Sequence, residues 1–244
     1  MKLSTRRLGG GRRTAALVHG ASMGTDVWRD FAQILVDDYD LSIILVDLRG
    51  HGESPRGPSY RIDDFAGDLV DTLPTGLDFL MGQSLGALSS AWAAPALKPG
   101  RYIGLDPPFT ASRATELLLR VVAPRQMRLP NAVLSRLGMP PKGAAPDTMQ
   151  RVRTMWSKWD RSMIGQLVTS ARQKPFPVEP PVVPSTIVLA DPSRFVPPER
   201  AEELRTLGWD VRVKPGGEHD LHLQDPRGVI TLLDDVLRHD IDPQ

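Results

Sequence analysis

The chain has 244 residues, 41% of them hydrophobic, with 30 Lys and Arg against 29 Asp and Glu for a formal net charge of +1. That length suits one α/β domain with a sizeable core and an insertion, and the balanced, unsegregated charge leaves no electrostatic footprint for nucleic acid or an anionic membrane, so a small-molecule partner is expected. Cysteine is absent, which excludes disulfides, thiolate chemistry and Cys-ligated metals.

The first thirteen residues are polar and basic with no apolar stretch after them, and no later run approaches a membrane span. A cytoplasmic protein without an export leader is expected. A short strand region over 2–8 precedes Gly9-Gly10-Gly11, which reads as a hairpin turn: it comes before the first core strand rather than after it, so it is no dinucleotide loop. Residues 14–18 and 42–46 are aliphatic runs that suit buried parallel strands, with a helix over 27–36 between them. Over 61–73 the apolar positions Ile62, Phe65, Ala66, Leu69, Val70 and Leu73 recur at spacings of three and four, marking one face of a helix.

The apolar run 77–81 then leads into Gly82-Gln83-Ser84-Leu85-Gly86, followed by the Ala-rich stretch 87–96. A strand, a sharp turn and a helix with small residues on both sides of a serine are what a nucleophile elbow requires. Ser84 is the candidate nucleophile. A further strand over 102–105 ends at Asp106-Pro107-Pro108, where two prolines stop a ladder. The alternation of strands and helices predicts a doubly wound, mostly parallel sheet.

From 107 to 185 the pattern changes to helical pieces at 113–123, 131–137 and 147–172, closed by a proline-rich, extended return linker over 175–184. The expected organisation is therefore a core of residues 1–106 and 186–244 with a helical cap at 107–185. Met155, Trp156, Trp159 and Met163 recur on one segment of it, joined by Met127, Met139 and Met149. Such a stripe serves most simply as the packing face of the cap; where Met155, Trp156 and Trp159 face the site instead, they make an adaptable apolar substrate pocket. Strands resume at 186–190 and 210–213, with helices at 198–207 and 229–238.

A serine on an elbow needs a base from elsewhere in the chain. His219, in the loop Pro215-Gly216-Gly217-Glu218-His219-Asp220 after a late strand, lies where ligands bind in open α/β sheets. His51, in a surface-type turn, and His222 and His239 are placed less favourably. His19-Gly20-Ala21 ends the first core strand, a position from which a backbone amide can face a developing oxyanion beside the amide of the residue after the nucleophile. Ala21 and Leu85 would supply those amides.

In order along the chain, LVHGASMGTDVW (17–28), VDLRGHGES (46–54), GQSLG (82–86) and GGEHDLH (216–222) resemble the α/β-hydrolase fold superfamily, in its serine-nucleophile branch with a helical cap. The resemblance implies Ser84 as nucleophile, His219 as base, Ala21 and Leu85 as oxyanion donors, a structural rather than catalytic role for Asp47 to Ser54, and no cofactor or metal. It also implies an acid in a Gly-x-x-Asp-x-x-x-Pro pattern after the cap, but the aligned stretch Ala190-Asp191-Pro192-Ser193-Arg194-Phe195-Val196-Pro197 puts Ser193 at that position. Asp191, on the usual loop, is preferred as the acid, with Asp106 as the alternative. The expected activity is hydrolysis of an ester, lactone or related acyl bond of a small, apolar substrate. The alternatives are a lyase or other biosynthetic enzyme using the Ser/His pair for proton transfer, and a ligand-binding protein without turnover.

Overall fold

Because each central strand is covered on both faces, nearly all of its residues are apolar, and they appear in the sequence as unbroken runs rather than alternating ones. In the computed structural model, which describes residues 1–109 and 141–238, these are β2 (Arg13–Val18), β3 (Leu41–Val46), β4 (Phe79–Gln83), β5 (Arg101–Leu105) and β6 (Ser185–Leu189). Two shorter strands, β1 (Thr5–Leu8) and β7 (Asp210–Val213), form the edges. Each fully buried Leu, Ile or Val contributes about 1.5–3 kcal/mol, so these five runs carry much of the core.

Among the described residues the seven strands make one sheet in the order β1-β3-β2-β4-β5-β6-β7. Only the β1–β3 pair is antiparallel; all the others are parallel. The hairpin expected at Gly9-Gly10-Gly11 is corrected by this order: β1 pairs with β3, which separates it from β2. The three glycines carry the chain over the start of β3. A Cβ on Gly11 would lie 1.9 Å from Asp40 O, so the crossing needs glycine there.

The helices are α1 (Arg29–Tyr39), α2 (Ile62–Thr72), α3 (Leu85–Leu97), α4 (Thr148–Ser157), α5 (Ile164–Gln173), α6 (Pro198–Thr206), α7 (Leu221–Gln224), α8 (Pro226–Leu232) and α9 (Asp234–Arg238). The single helix expected over 147–172 is two helices joined through a 3-10 turn, Arg161–Met163, whose N-terminal Asp160 side chain accepts a hydrogen bond from Ser162 N–H. The expected closing helix likewise divides into α8 and α9. Between β5 and β6 no strand occurs among the described residues. The helices expected at 113–123 and 131–137, together with Met127, Met139 and His239, lie outside the described residues.

Parallel pairing brings the carboxyl ends of four strands into line. Val18 on β2 sits opposite Gly82 on β4, Gln83 opposite Leu105 on β5, and Leu105 opposite Val188 on β6. The chain passes from β2 outward to β3 and then back across to β4, so β2 and β4 flank the topological switch point, where open α/β sheets bind ligands.

The turn from β4 into α3 depends on close backbone approach. A Cβ on Gly82 would lie 2.5 Å from the Gly86 backbone, and one on Gly86 only 2.2 Å from Val18 O. Gly86→Ala therefore has to push α3 off the sheet, at a cost on the order of 2–3 kcal/mol. Urea unfolding monitored by circular dichroism should show that loss; a change below about 0.5 kcal/mol would mean the helix is not seated against β2 as described.

Candidate active site

Ser84 occupies the sharpest bend of the turn, with φ 50 and ψ −117. A non-glycine residue in such a conformation costs about 1–3 kcal/mol and persists only where its surroundings over-determine it. Here Ser84 N–H donates to Leu105 O at 3.0 Å, and Leu88 N–H donates to Ser84 O at 3.0 Å. Strand and helix thus each hold one side of the bend. Ser84 keeps partial exposure while both its neighbours, Gln83 and Leu85, are buried.

His219, expected as the partner of an elbow serine, is brought to this edge by the loop after β7. Its Nδ1 lies 2.6 Å from Asp106 Oδ2. Asp106 directly follows β5 and is fully buried. Its other oxygen, Oδ1, accepts from Ala190 N–H at 3.2 Å and from the Ser193 hydroxyl at 2.7 Å. Three donors therefore surround one buried carboxylate. Two of them come from the loop after β6, and the third is the imidazole.

The preference for Asp191 as the partner of His219 is corrected by this geometry. Asp191 is exposed, and its main chain, through N–H donating to Gly217 O at 2.9 Å, is what ties it to the histidine loop. The strand register explains the exchange. Asp106 extends β5 beside β6 and points into the space under the imidazole, whereas Asp191 lies past the end of β6 and turns to solvent. Ser193, at the position where the resemblance implies an acid, donates its hydroxyl to the Asp106 carboxylate instead.

Burial pulls the His219 imidazole down, but the hydrogen bond to Asp106 and the fields of Asp220 and Asp106 outweigh it, with Arg194 opposing; on balance the ring is held above its ordinary value. Desolvation lifts the neighbouring Asp220 carboxyl above the usual range, with Asp106 and Glu218 adding to it and His219 opposing. Phe195 packs against the imidazole, ring centroids 4.5 Å apart.

Gln83 is a contributor that the sequence reading did not single out. It is buried, and its Nε2 lies 3.3 Å from His219 Nε2, 3.2 Å from His219 O and 3.3 Å from Asp220 Oδ1. It thereby ties the imidazole to the residue preceding Ser84. Its position just before the serine was the only sequence signal available for it.

The loop that carries Ala21 passes directly over the bend: a Cβ on Gly20 would lie 3.2 Å from Ser84 Cβ. Among the described residues neither Ala21 N–H nor Leu85 N–H donates to a protein acceptor. Two histidines clasp this loop to residues 47–54. Leu48 N–H donates to His19 Nε2 at 3.0 Å and Ser22 N–H to His51 Nε2 at 3.1 Å, while Thr25 N–H donates to Asp47 Oδ1 at 2.8 Å. His51, read from sequence as part of a surface turn, is fully buried.

Met155, Trp156 and Trp159 are all buried. What the structure shows of Trp159 and Met155 is packing: Trp159 stacks on His51 at 5.9 Å, and the Met155 side chain closes against Gly24. Among the described residues no cluster of three or more His, Cys, Asp or Glu side chains could hold a metal ion, and no helix is long and apolar enough to cross a membrane.

A model described as the alpha/beta hydrolase family matches residues 16–232. The chain is 32% identical over 89 residues to a pimeloyl-[acyl-carrier protein] methyl ester esterase of Methylococcus capsulatus, covering 36% of this chain and 34% of that protein. It is 47% identical over 57 residues to an esterase of Escherichia coli, YbfF, covering 23% of this chain and 22% of that protein. The chain thus spans about a third or less of the length of these two relatives. Among solved structures, a thermophilic esterase from Thermogutta terrifontis matches with a TM-score of 0.72 at 22% identity, covering 97% of this chain and 93% of that one.

The geometry makes His219 a readable titration. Its folded-state value lies above its ordinary value of about 6.5, so its pairing with Asp106 stabilises the fold fully below that pH and ceases to do so as pH rises through the folded value. Imidazole NMR of the native protein should give a His219 midpoint above about 6.5, and Asp106→Asn should lower it. A midpoint unchanged in Asp106→Asn would remove Asp106 as the partner.

Proposed function

This chain belongs to the alpha/beta hydrolase family, and on that footing we propose that it is a carboxylic ester hydrolase working through a Ser84 acyl-enzyme. The observation that carries the reading is the Asp106–His219 contact of 2.6 Å, set at the sheet edge where Ser84 is presented on a strained elbow. The names of the two relatives favour an ester among acyl bonds. The substrate proposed is a small apolar ester.

In this mechanism Asp106 holds the imidazole with its proton on Nδ1, and the Nε2 lone pair, which the Gln83 amide approaches at 3.3 Å, exchanges that contact for the Ser84 hydroxyl and takes its proton as Oγ attacks the ester carbonyl. The N–H groups of Ala21 and Leu85 receive the oxyanion, a stabilisation of the kind whose loss costs about 10²–10³ in kcat. Collapse of the tetrahedral species expels the alcohol, which takes its proton from the His219 imidazolium. A water deprotonated by His219 then attacks the acyl carbonyl, and Ser84 Oγ leaves with that proton. Every step uses side chains and amides of the chain itself, with no group borrowed from a cofactor.

The observation that favours the binding-protein alternative is Ser193 standing at the acid position. With Asp106 against the imidazole and Ser193 bonded to that carboxylate, it has little to rest on. The helical segment between β5 and β6 is proposed as the cap over the site.

A fluorophosphonate probe tests the nucleophile. The protein should be labelled at Ser84, and Ser84→Ala should abolish labelling and lower p-nitrophenyl butyrate hydrolysis by roughly ten-thousandfold or more. Wild-type protein that resists the probe, or Ser84→Ala that still reacts, would refute the acyl-enzyme.

A further inference from the structure

The loop over Ser84 is a tight turn in which Met23 N–H donates to Gly20 O at 3.3 Å. Its third residue, Ser22, has a φ of +63. That sign normally calls for glycine or asparagine at the third turn position, so serine there needs an external hold on the turn's middle peptide. The hold comes from 29 residues further on, where His51 Nε2 accepts Ser22 N–H at 3.1 Å.

The chemistry of His51 is fixed on its other side. Nδ1 lies 2.9 Å from Arg49 O. A carbonyl only accepts, so Nδ1 carries the proton and Nε2 keeps the lone pair that Ser22 requires. Only the neutral ring in this one tautomer satisfies both contacts, and burial, with His19 adding to it, holds the ring neutral by pushing its pKa down to about 3. Trp159 covers the ring face at 5.9 Å and 22° between planes, and Asp160 N–H anchors that segment by donating to Gly50 O at 2.7 Å.

We propose that His51 is a positioning residue for the oxyanion loop: its neutral Nε2 holds the Ser22 peptide so that the Ala21 N–H is aimed over Ser84, and Trp159 shields that bond from water. The inference rests on the reading of Ser84 as nucleophile. It assigns a working role to a motif, Asp47 to Ser54, whose resemblance implies only a structural one. It also connects the segment between β5 and β6 to the chemistry through one stacked ring pair.

Two polar variants separate this role from simple packing. His51→Asn keeps a donor near Arg49 O but has no acceptor long enough to reach Ser22. His51→Gln carries its amide oxygen close to the position of Nε2. For p-nitrophenyl butyrate, His51→Asn should lower kcat by about ten- to a hundredfold with KM within about twofold, and weaken binding of phenylboronic acid, a mimic of the tetrahedral state, by a similar factor. His51→Gln should stay within about threefold of wild type. Amide hydrogen exchange at Ser22, read by NMR, should be fast in His51→Asn and protected in the wild type and in His51→Gln.

The proposal is overturned by any of three results: kcat of His51→Asn within about twofold of wild type, a loss confined to KM, or His51→Gln falling as far as His51→Asn. Wild-type protein that neither hydrolyses the ester nor takes up a fluorophosphonate would instead sink the Ser84 reading. Ser22 exchange would then still decide the His51 contact, and equal protection in all three proteins would remove it.

Discussion

A buried carboxylate without enough donors is expensive, and that constraint organises this molecule's working edge. Asp106 is fully buried, and it is satisfied only because Ala190 N–H, the Ser193 hydroxyl and the His219 imidazole converge on it. Two of these donors arrive on the loop after β6 and the third on the loop after β7. Meeting the needs of one carboxylate therefore fixes the histidine loop relative to the sheet, and with it the imidazole beside the elbow. The loop has a second tie in Gln83, whose amide reaches the His219 carbonyl and the Asp220 carboxylate.

The opposite wall follows the same logic. His19 and His51 sit between two loops as neutral rings, each pushed to low pKa mainly by burial, and each uses Nε2 as an acceptor for a backbone N–H of the other loop. The turn bearing Ala21 is thus built from the second motif as much as from its own residues. Between the two walls, strain is confined to residues the fold holds from several sides: Ser84, Ser22 and Asp106 all have positive φ, and each has its main chain bonded to a neighbouring segment.

Much of this was legible in the sequence where burial is complete. The central strands appear as apolar runs because a parallel sheet covers both faces, and the elbow appears because Gly82 and Gly86 leave room for nothing larger. The family followed from four short motifs in order. What sequence could not supply was information carried across strands. Asp106 and Asp191 are both plausible carboxylates at strand ends, and only the β5–β6 register decides that the first points under the imidazole while the second meets solvent. Ser193 read as a missing acid because its hydrogen bond to Asp106 spans 87 residues. At Gly9-Gly10-Gly11 the break between two strands is legible but the crossing over β3 is not, because strand order, unlike strand existence, leaves no local mark. Over 147–172 the apolar spacing runs on through the break and so predicts one continuous helix, while the Asp160 cap that restarts it is a side-chain event. The exposed-turn reading of His51 failed for a related reason: its cover, Trp159, is more than a hundred residues away.

In the mechanism proposed, Asp106 and not Asp191 holds the histidine that activates Ser84. The direct measurement is kcat for p-nitrophenyl butyrate in Asp106→Asn and Asp191→Asn side by side. Asp106→Asn should lose roughly 10³–10⁴ in kcat, as expected when an imidazole loses the carboxylate that fixes its tautomer, and Asp191→Asn should remain within about threefold of wild type. The reverse pattern, or full activity in both variants, would contradict it.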